Sequence, residues 1–247
     1  MNKKQKKKLP YIKSFDFRPG RILARKYEII SQLGAGWEGE VYLIRECMTG
    51  IEKTAKFFFP DRNVNDKSAK FYAKKLHKLR QCGIVVQYHS QDTIIFRGVP
   101  ITFLLSEFIE GEQLSEFLNR QRGKRLTPFQ ALHLLHALVC GIECIHRKSD
   151  YHGDLHADNI IVQRFGLGFD LKLLDMFHWG APSPEHRHDD IVDIIHIFYF
   201  ALGGQKHYAN HSSEIKHICC GLKRTLILKK FRTATRLRQH IETMQWN

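Results

Sequence analysis

The sequence predicts an α+β fold, with strands concentrated in the first half and helices in the second. Three stretches carry that expectation. KYEIISQLGAGWEGEVYLIRE, residues 26–46, alternates into a strand, breaks at three glycines and resumes as a strand through Val41, Tyr42 and Leu43. TPFQALHLLHALVCGIECIHR, residues 127–147, begins with a Thr N-cap and Pro at the first helical position, then repeats apolar residues at helical spacing. DIVDIIHIFYFALGG, from Asp190, reads as a second apolar helix.

Taken in order, the chain opens on a basic stretch. The net charge of +14 is uneven: residues 1–26 carry 10 Lys/Arg against 1 acid, and residues 205–247 carry 9 against 2. The middle is nearly neutral, so the basicity belongs to the ends. Such ends suit nucleic acid, an anionic membrane surface or an acidic partner, although a Lys-rich arm from Lys3 to Lys8 needs no more than solvent. At 247 residues and 43% hydrophobic content the chain has material for a sizeable core, as one large domain or two small lobes.

Gly34, Gly36 and Gly39 form G-x-G-x-x-G between two strands. A dinucleotide-binding turn requires that motif to open a helix, so a hairpin lid over nucleotide phosphates fits better, with backbone N–H groups approaching the phosphate oxygens. Glu38 at the tip is awkward there, being a negative charge near phosphates. Lys56 follows in the apolar strand EKTAKFFF, and a lysine in such a place needs either solvent for its head or an anion. Lys53 is expected to be exposed. Residues 65–85, NDKSAKFYAKKLHKLRQCGIV, read as a helix, and ITFLLSEFIEGEQL, residues 101–114, as a strand leading to a turn at Gly111.

Residues 151–159, YHGDLHADN, leave the long helix and enter the strand NIIV. This loop holds an acid, Asp154, and an amide, Asn159. A second strand, DLKLLD, ends at Asp175, and the turn RFGLG between the two strands brings Asn159 and Asp175 close together. Such oxygen ligands suit Mg²⁺, which takes one or two side chains and leaves the rest to water and phosphate. Asp154 is then available to orient a hydroxyl. His136, Cys140 and Cys144 share one face of the helix before the loop, but ligands spread over two turns diverge, and a core stripe accounts for them.

His152-Gly153-Asp154 with Asn159, followed by Asp175, resembles the protein kinase superfamily, with its H-R-D-x-x-x-x-N loop and D-F-G segment. The HGDLH wording is similar to that of aminoglycoside and choline phosphotransferases and of small atypical bacterial-type kinases. The resemblance implies a two-lobed fold: a small antiparallel β lobe with one helix over residues 27–108, and a reduced, mainly helical large lobe over 109–247. Residues 1–26 are left as a basic arm and lead-in. It further implies an ATP- and Mg²⁺-dependent enzyme, with protein Ser/Thr hydroxyls the first choice of acceptor and a small-molecule hydroxyl the alternative.

By that resemblance Lys56 holds the α/β-phosphates, and Gly34, Gly36, Gly39 and Val41 cover the nucleotide. Glu107 and Ile109 face the adenine edge behind Ser106, and Gln113 lies near the ribose. Asn159 and Asp175 hold the metal, and Asp154 receives the acceptor hydroxyl. His156 stands where a phosphate-contacting lysine is usual, and Asp190 opens a helix that braces the loop.

The departures are informative. The helix of residues 65–85 has no Glu, with Tyr72 at the expected position and Asp66 nearer the helix start. Gly153 replaces the Arg that pairs with a phosphorylated activation loop, and Phe177 stands where D-F-G has Gly. Only fifteen residues separate Asp175 from Asp190, too few for a full peptide-docking platform. These departures keep a nucleotide-binding scaffold without turnover as a rival reading.

Six cysteines show no CxxC pair, which fits reduced thiols and a cytoplasmic protein. The charged start has no apolar region after it, so no signal peptide is expected. The apolar run Ile194–Leu202 is too short to span a bilayer, and no transmembrane segment is expected.

Overall fold

The computed structural model describes residues 11–166 and 168–245, which form two compact units. The arm Lys3–Lys8 lies outside the described residues. One unit takes the described residues up to Arg80 together with Val86–Phe108; the other takes Gln81–Val85 and the chain from Ile109 onward.

The first unit is an antiparallel six-stranded sheet with one α-helix. Its strands are β1 (Ile22–Leu23), β2 (Tyr27–Ala35), β3 (Gly39–Glu46), β4 (Glu52–Phe58), β5 (Tyr88–Phe96) and β6 (Val99–Glu107), in the order β1-β2-β3-β4-β6-β5. Helix α1 (Lys67–Lys78) follows β4. The alternation that marks these strands buries one face: Ile29, Tyr42, Ile44, Ala55, Phe57 and Phe103 are fully buried in one cluster. Phe57 and Phe103 stack with centroids 4.6 Å apart.

Within residues 1–26, expected from sequence as a basic arm and lead-in, Ile12, Phe15, Phe17 and Leu23 join the core of this unit. Two hydrogen bonds fix them: Phe15 N–H donates to the buried Glu40 carboxylate, and Phe17 N–H to the Tyr42 hydroxyl at 3.3 Å. That hydroxyl donates in turn to Glu40, and burial holds it protonated well beyond the usual tyrosine range. Each buried aromatic adds about 2 kcal/mol, enough to override the local polarity that suggests an arm. Lys53 also departs from expectation: its side chain is mostly buried and pairs with Glu46 at 3.3 Å.

The second unit carries β7 (Glu112–Gln113), α2 (Leu114–Arg120), α3 (Pro128–Arg147), β8 (Ile160–Phe165), β9 (Gly168–Leu173), α4 (Pro184–Ala201), α5 (Gln205–Tyr208), α6 (Ser213–Cys219), α7 (Arg224–Lys230) and α8 (Ala234–Thr243). Strands β7, β8 and β9 form a small antiparallel sheet, and α3 packs against β9, α4 and α8. The start of α3 is a full capping box: Thr127 accepts from Gln130 N–H, and the Gln130 side chain accepts from Thr127 N–H. Helix α3 is long and apolar enough by composition to cross a membrane, yet Leu134, Leu135, Leu138, Val139 and Ile142 are buried within the unit. It also buries Glu143, which accepts from Thr235 and Arg238 on α8 and from Arg147.

The expectation of six reduced thiols is overturned by a disulfide between Cys82 and Cys144, which are 62 positions apart. Spacing along the chain cannot show such a pair. What brings it together is the segment Gln81–Val85 lying against α3, where Gly141 makes room: a Cβ there would sit 2.2 Å from Ile84 Cδ1. Cys144 therefore belongs to a crosslink, while His136 bonds to Glu242 at 2.9 Å with Cys140 Sγ 3.7 Å from its ring. Among the described residues no group of three His, Cys, Asp or Glu is arranged for a metal ion.

Candidate active site

The candidate residues divide between the two units. In the first, β2 and β3 form the glycine hairpin, closed by Gly36 N–H donating to Gly39 O at 2.9 Å. The three glycines differ in what they do. Nothing crowds a Cβ at Gly34 or Gly36, whereas one at Gly39 would lie 1.8 Å from the Phe57 carbonyl oxygen. Gly39 is thus demanded by the pairing of β3 with β4, and Gly34 and Gly36 leave open surface for a ligand to approach. Val41 pairs with Lys56 across these strands.

Lys56 projects from β4 with only 13% of its side chain exposed, its ammonium 3.3 Å from Glu38 Oε2 and 4.6 Å from the Tyr72 ring centroid. Tyr72, on α1, therefore contributes a ring face to the ammonium at the position where an acid is expected. Asp66 is engaged elsewhere, accepting from the Thr102 hydroxyl at 2.7 Å and from Asn63 Nδ2 at 3.1 Å. At the end of β6, Ser106 pairs with Thr54, and Glu107 exchanges two bonds with Gln87: its N–H donates to Gln87 O, and its carboxylate accepts Gln87 N–H.

In the second unit, Ile109 lies in the irregular segment before β7, and Gln113 pairs with Ile161 of β8 and occupies the N-cap position of α2. Strands β8 and β9 pair in the register Ile160 to Leu173, and Leu174 N–H donates to Asn159 O at 2.8 Å. The hairpin thus sets Asn159 beside the residue preceding Asp175. Asp175 has φ +47°, the left-handed region, which turns the chain sharply after β9.

Segment 152–154 is fixed from all sides. The fully buried Asp190 accepts His152 N–H at 2.8 Å, Gly153 N–H at 2.9 Å and His146 Nε2 at 2.9 Å. His152 O accepts Phe177 N–H at 3.0 Å, and His152 Nε2 lies 2.9 Å from Leu174 O. Since Leu174 O can only accept, His152 Nε2 carries the proton, leaving Nδ1 to accept Asp154 N–H at 3.2 Å.

The Asn159 amide nitrogen donates to Asp154 O at 2.9 Å and to its carboxylate at 3.1 Å. A backbone oxygen can only accept, so the amide orientation is settled and Asn159 Oδ1 remains as the acceptor. The Asp154 carboxylate is half exposed, and His156 stands beside it at 3.8 Å and near Asp158 at 3.6 Å.

Two aromatic residues absent from the sequence expectations complete this side. Trp179 Nε1–H donates to Gly153 O at 2.7 Å, and Trp179 N–H donates to the Tyr151 hydroxyl at 2.8 Å. No spacing rule marks a tryptophan in the irregular stretch HWGAPSP. A cavity of about 250 Å³ opens here, lined by Gly153, Trp179, His186, Asp189 and Asp193. His186 Nδ1 is buried with no hydrogen-bond partner among the described residues, and burial pushes the Asp193 carboxyl up to about 7.

The family model described as the protein kinase domain matches residues 27–181, from β2 to just beyond Trp179, and α4–α8 fall outside the match. The chain is 28% identical over 156 residues to the serine/threonine-protein kinase pkn2 of Myxococcus xanthus, covering 62% of this chain and 18% of that protein. It is 25% identical over 180 residues to the serine/threonine-protein kinase PknD of Chlamydia pneumoniae, covering 68% of this chain and 18% of that protein. With the probable serine/threonine-protein kinase YbdM of Bacillus subtilis it shares 27% identity over 198 residues, 75% of this chain and 73% of that protein. Against the first two relatives it spans less than a fifth of their length. A kinase-domain match over more than half of the chain, on a glycine hairpin, a strand lysine and a braced Asp154 loop, makes this chain a member of the protein kinase domain family.

Proposed function

We propose that the protein is an ATP-dependent kinase that transfers the γ-phosphoryl group to a hydroxyl, with protein serine or threonine as the acceptor. The observation that carries the reading is the hydrogen-bonded unit of Asp154, Asn159 and the strand end before Asp175. In phosphoryl transfer the protein has little covalent work to do: it positions the reactants and neutralises charge. Asp154 is half exposed and aimed by Asn159, as a group that orients an incoming hydroxyl and takes up its proton must be.

The donor set fits Mg²⁺. Asn159 Oδ1 and the Asp175 carboxylate are hard oxygens, too few for a dedicated protein cage and suited to a cation whose other ligands are phosphate and water. When bound, the ion would neutralise charge on the triphosphate. In the first unit, taken by itself, Lys56 on β4 would supply positive charge for phosphate oxygens, and the open surface at Gly34 and Gly36 would admit them. The serine/threonine acceptor is supported by the similarity to the serine/threonine-protein kinases named above.

A small-molecule hydroxyl acceptor is the second reading, favoured by the cavity of about 250 Å³ that begins at Gly153, next to Asp154. ATP-to-ADP turnover with Mg²⁺, comparing wild type with Asp154→Ala and Asp175→Ala, tests the proposal. Turnover that falls by a factor on the order of 10² or more in both variants supports it. Nucleotide binding without turnover in the wild type would replace it with the scaffold reading. A mixed serine/threonine peptide library against a panel of amino alcohols separates the two acceptors.

A further inference from the structure

We propose that Trp179 is a positioning residue for Asp154, clamping the peptide unit between Gly153 and Asp154 from the solvent side; the proposal rests on the phosphotransfer reading above. The case is an account of where the backbone polar groups of the loop go. Both amides of His152 and Gly153 donate to the Asp190 carboxylate, from the buried side. Both carbonyls are taken by the segment after Asp175: Phe177 N–H reaches His152 O at 3.0 Å, and Trp179 Nε1–H reaches Gly153 O at 2.7 Å.

The second of these bonds matters most for Asp154. The Gly153 carbonyl and the Asp154 N–H belong to one rigid peptide plane. Trp179 holds the oxygen end of that plane, and His152 Nδ1 holds the N–H end at 3.2 Å. With both ends held, the plane cannot swing; Asn159 Nδ2, donating to Asp154 O at 2.9 Å, holds the following peptide plane, and the two together set the direction in which the Asp154 side chain leaves the backbone.

The tryptophan is itself anchored. Its N–H donates to the Tyr151 hydroxyl at 2.8 Å, which donates onward to Gly180 O at 3.0 Å, and its ring packs on Phe177 at 4.7 Å between centroids. Trp179 nevertheless remains 66% exposed. So large an apolar surface left in water is the reverse of what core packing would select, and it points to a role carried by the indole N–H. Gly153 is shaped to accept it: φ is +87°, and a Cβ there would meet the Tyr151 ring at 2.8 Å and Trp179 Cδ1 at 3.1 Å. The residue that lacks a side chain and the residue that lies over it are one device.

Trp179→Phe tests this, since it removes the donor and keeps the ring. Two readouts are needed: amide hydrogen exchange over residues 150–160, and kcat and KM for ATP with the serine/threonine peptide library as acceptor. The expected result is faster exchange confined to that segment, kcat lower by a factor on the order of 10 to 100 with KM for ATP unchanged, and a melting temperature close to wild type. Tyr151→Phe, which removes the anchor for the Trp179 N–H, is expected to shift exchange in the same segment. Unchanged exchange in both variants overturns the clamp even if turnover falls, and unchanged kcat in Trp179→Phe overturns its role in positioning. A wild type that never turns over instead sinks the phosphotransfer reading on which the clamp's catalytic meaning depends.

Discussion

The Lys56 ammonium lies 3.3 Å from the Glu38 carboxylate, so an acid at the tip of the glycine hairpin reaches the lysine that the family uses for phosphate. On the proposed function, Glu38 and an incoming triphosphate would be rivals for the same positive charge. Glu38→Gln is therefore expected to tighten ATP binding about fivefold, the equivalent of about 1 kcal/mol for a partly exposed pair. Fluorescence titration with an ATP analogue reads this directly. Weaker binding in the variant would show that the acid aligns Lys56 instead of competing for it.

The glycines of the hairpin should separate by experiment. Gly39→Ala places a methyl group against the Phe57 carbonyl, a backbone atom that cannot swing aside, at an expected cost of about 2 kcal/mol or more in urea denaturation. Gly36→Ala meets open space and should leave the unfolding midpoint nearly unchanged. Equal losses of stability at the two positions would contradict this assignment.

The disulfide between Cys82 and Cys144 closes a long loop, and crosslinks of that kind stabilise by about 3 kcal/mol, chiefly by restricting the unfolded chain. A Cys82→Ser/Cys144→Ser double variant should unfold at lower denaturant than oxidised wild type and match wild type treated with reductant. Mass spectrometry after alkylation without reductant should find both sulfurs protected. Two freely alkylated thiols in the folded protein would refute the crosslink.

Asp193 makes stability fall as pH rises. Burial, with Asp190, Asp189 and Asp154 nearby, lifts its carboxyl from 3.8 to about 7 in the folded state. A group held protonated by folding contributes fully below its unfolded pKa and loses that contribution as pH climbs through the folded one. The difference in melting temperature between Asp193→Asn and wild type should thus grow in the variant's favour from about pH 4 to pH 7 and then level off. A difference independent of pH would show that the carboxyl titrates normally.

Much of this was readable from residues alone. Alternation marked β2 and β3, apolar runs marked β4 and β6, and the Thr127 and Pro128 pair placed the start of α3 where the helix begins. The pairing of β8 with β9 followed from a glycine turn between two apolar runs. What escaped were contacts made across long stretches of chain. Phe15 and Phe17 look like part of a basic leader until Glu40 and Tyr42 are seen receiving their amides. Cys82 meets Cys144 because a turn segment lies against a helix, and Trp179 meets Gly153 because an irregular loop folds back. Neither leaves a periodic trace.

Asp190 gives the loop its most consequential dependency. One carboxylate receives His146, His152 and Gly153 together, so the end of α3, the start of α4 and the segment carrying Asp154 share a single fixed point. Damage there would surface as a displaced Asp154, a residue far away along the chain, with every other side chain of the loop intact. Inheritance of this motif is accordingly a joint affair: a lineage that keeps HGD but loses the acid on α4 would retain the letters of the site and forfeit its shape.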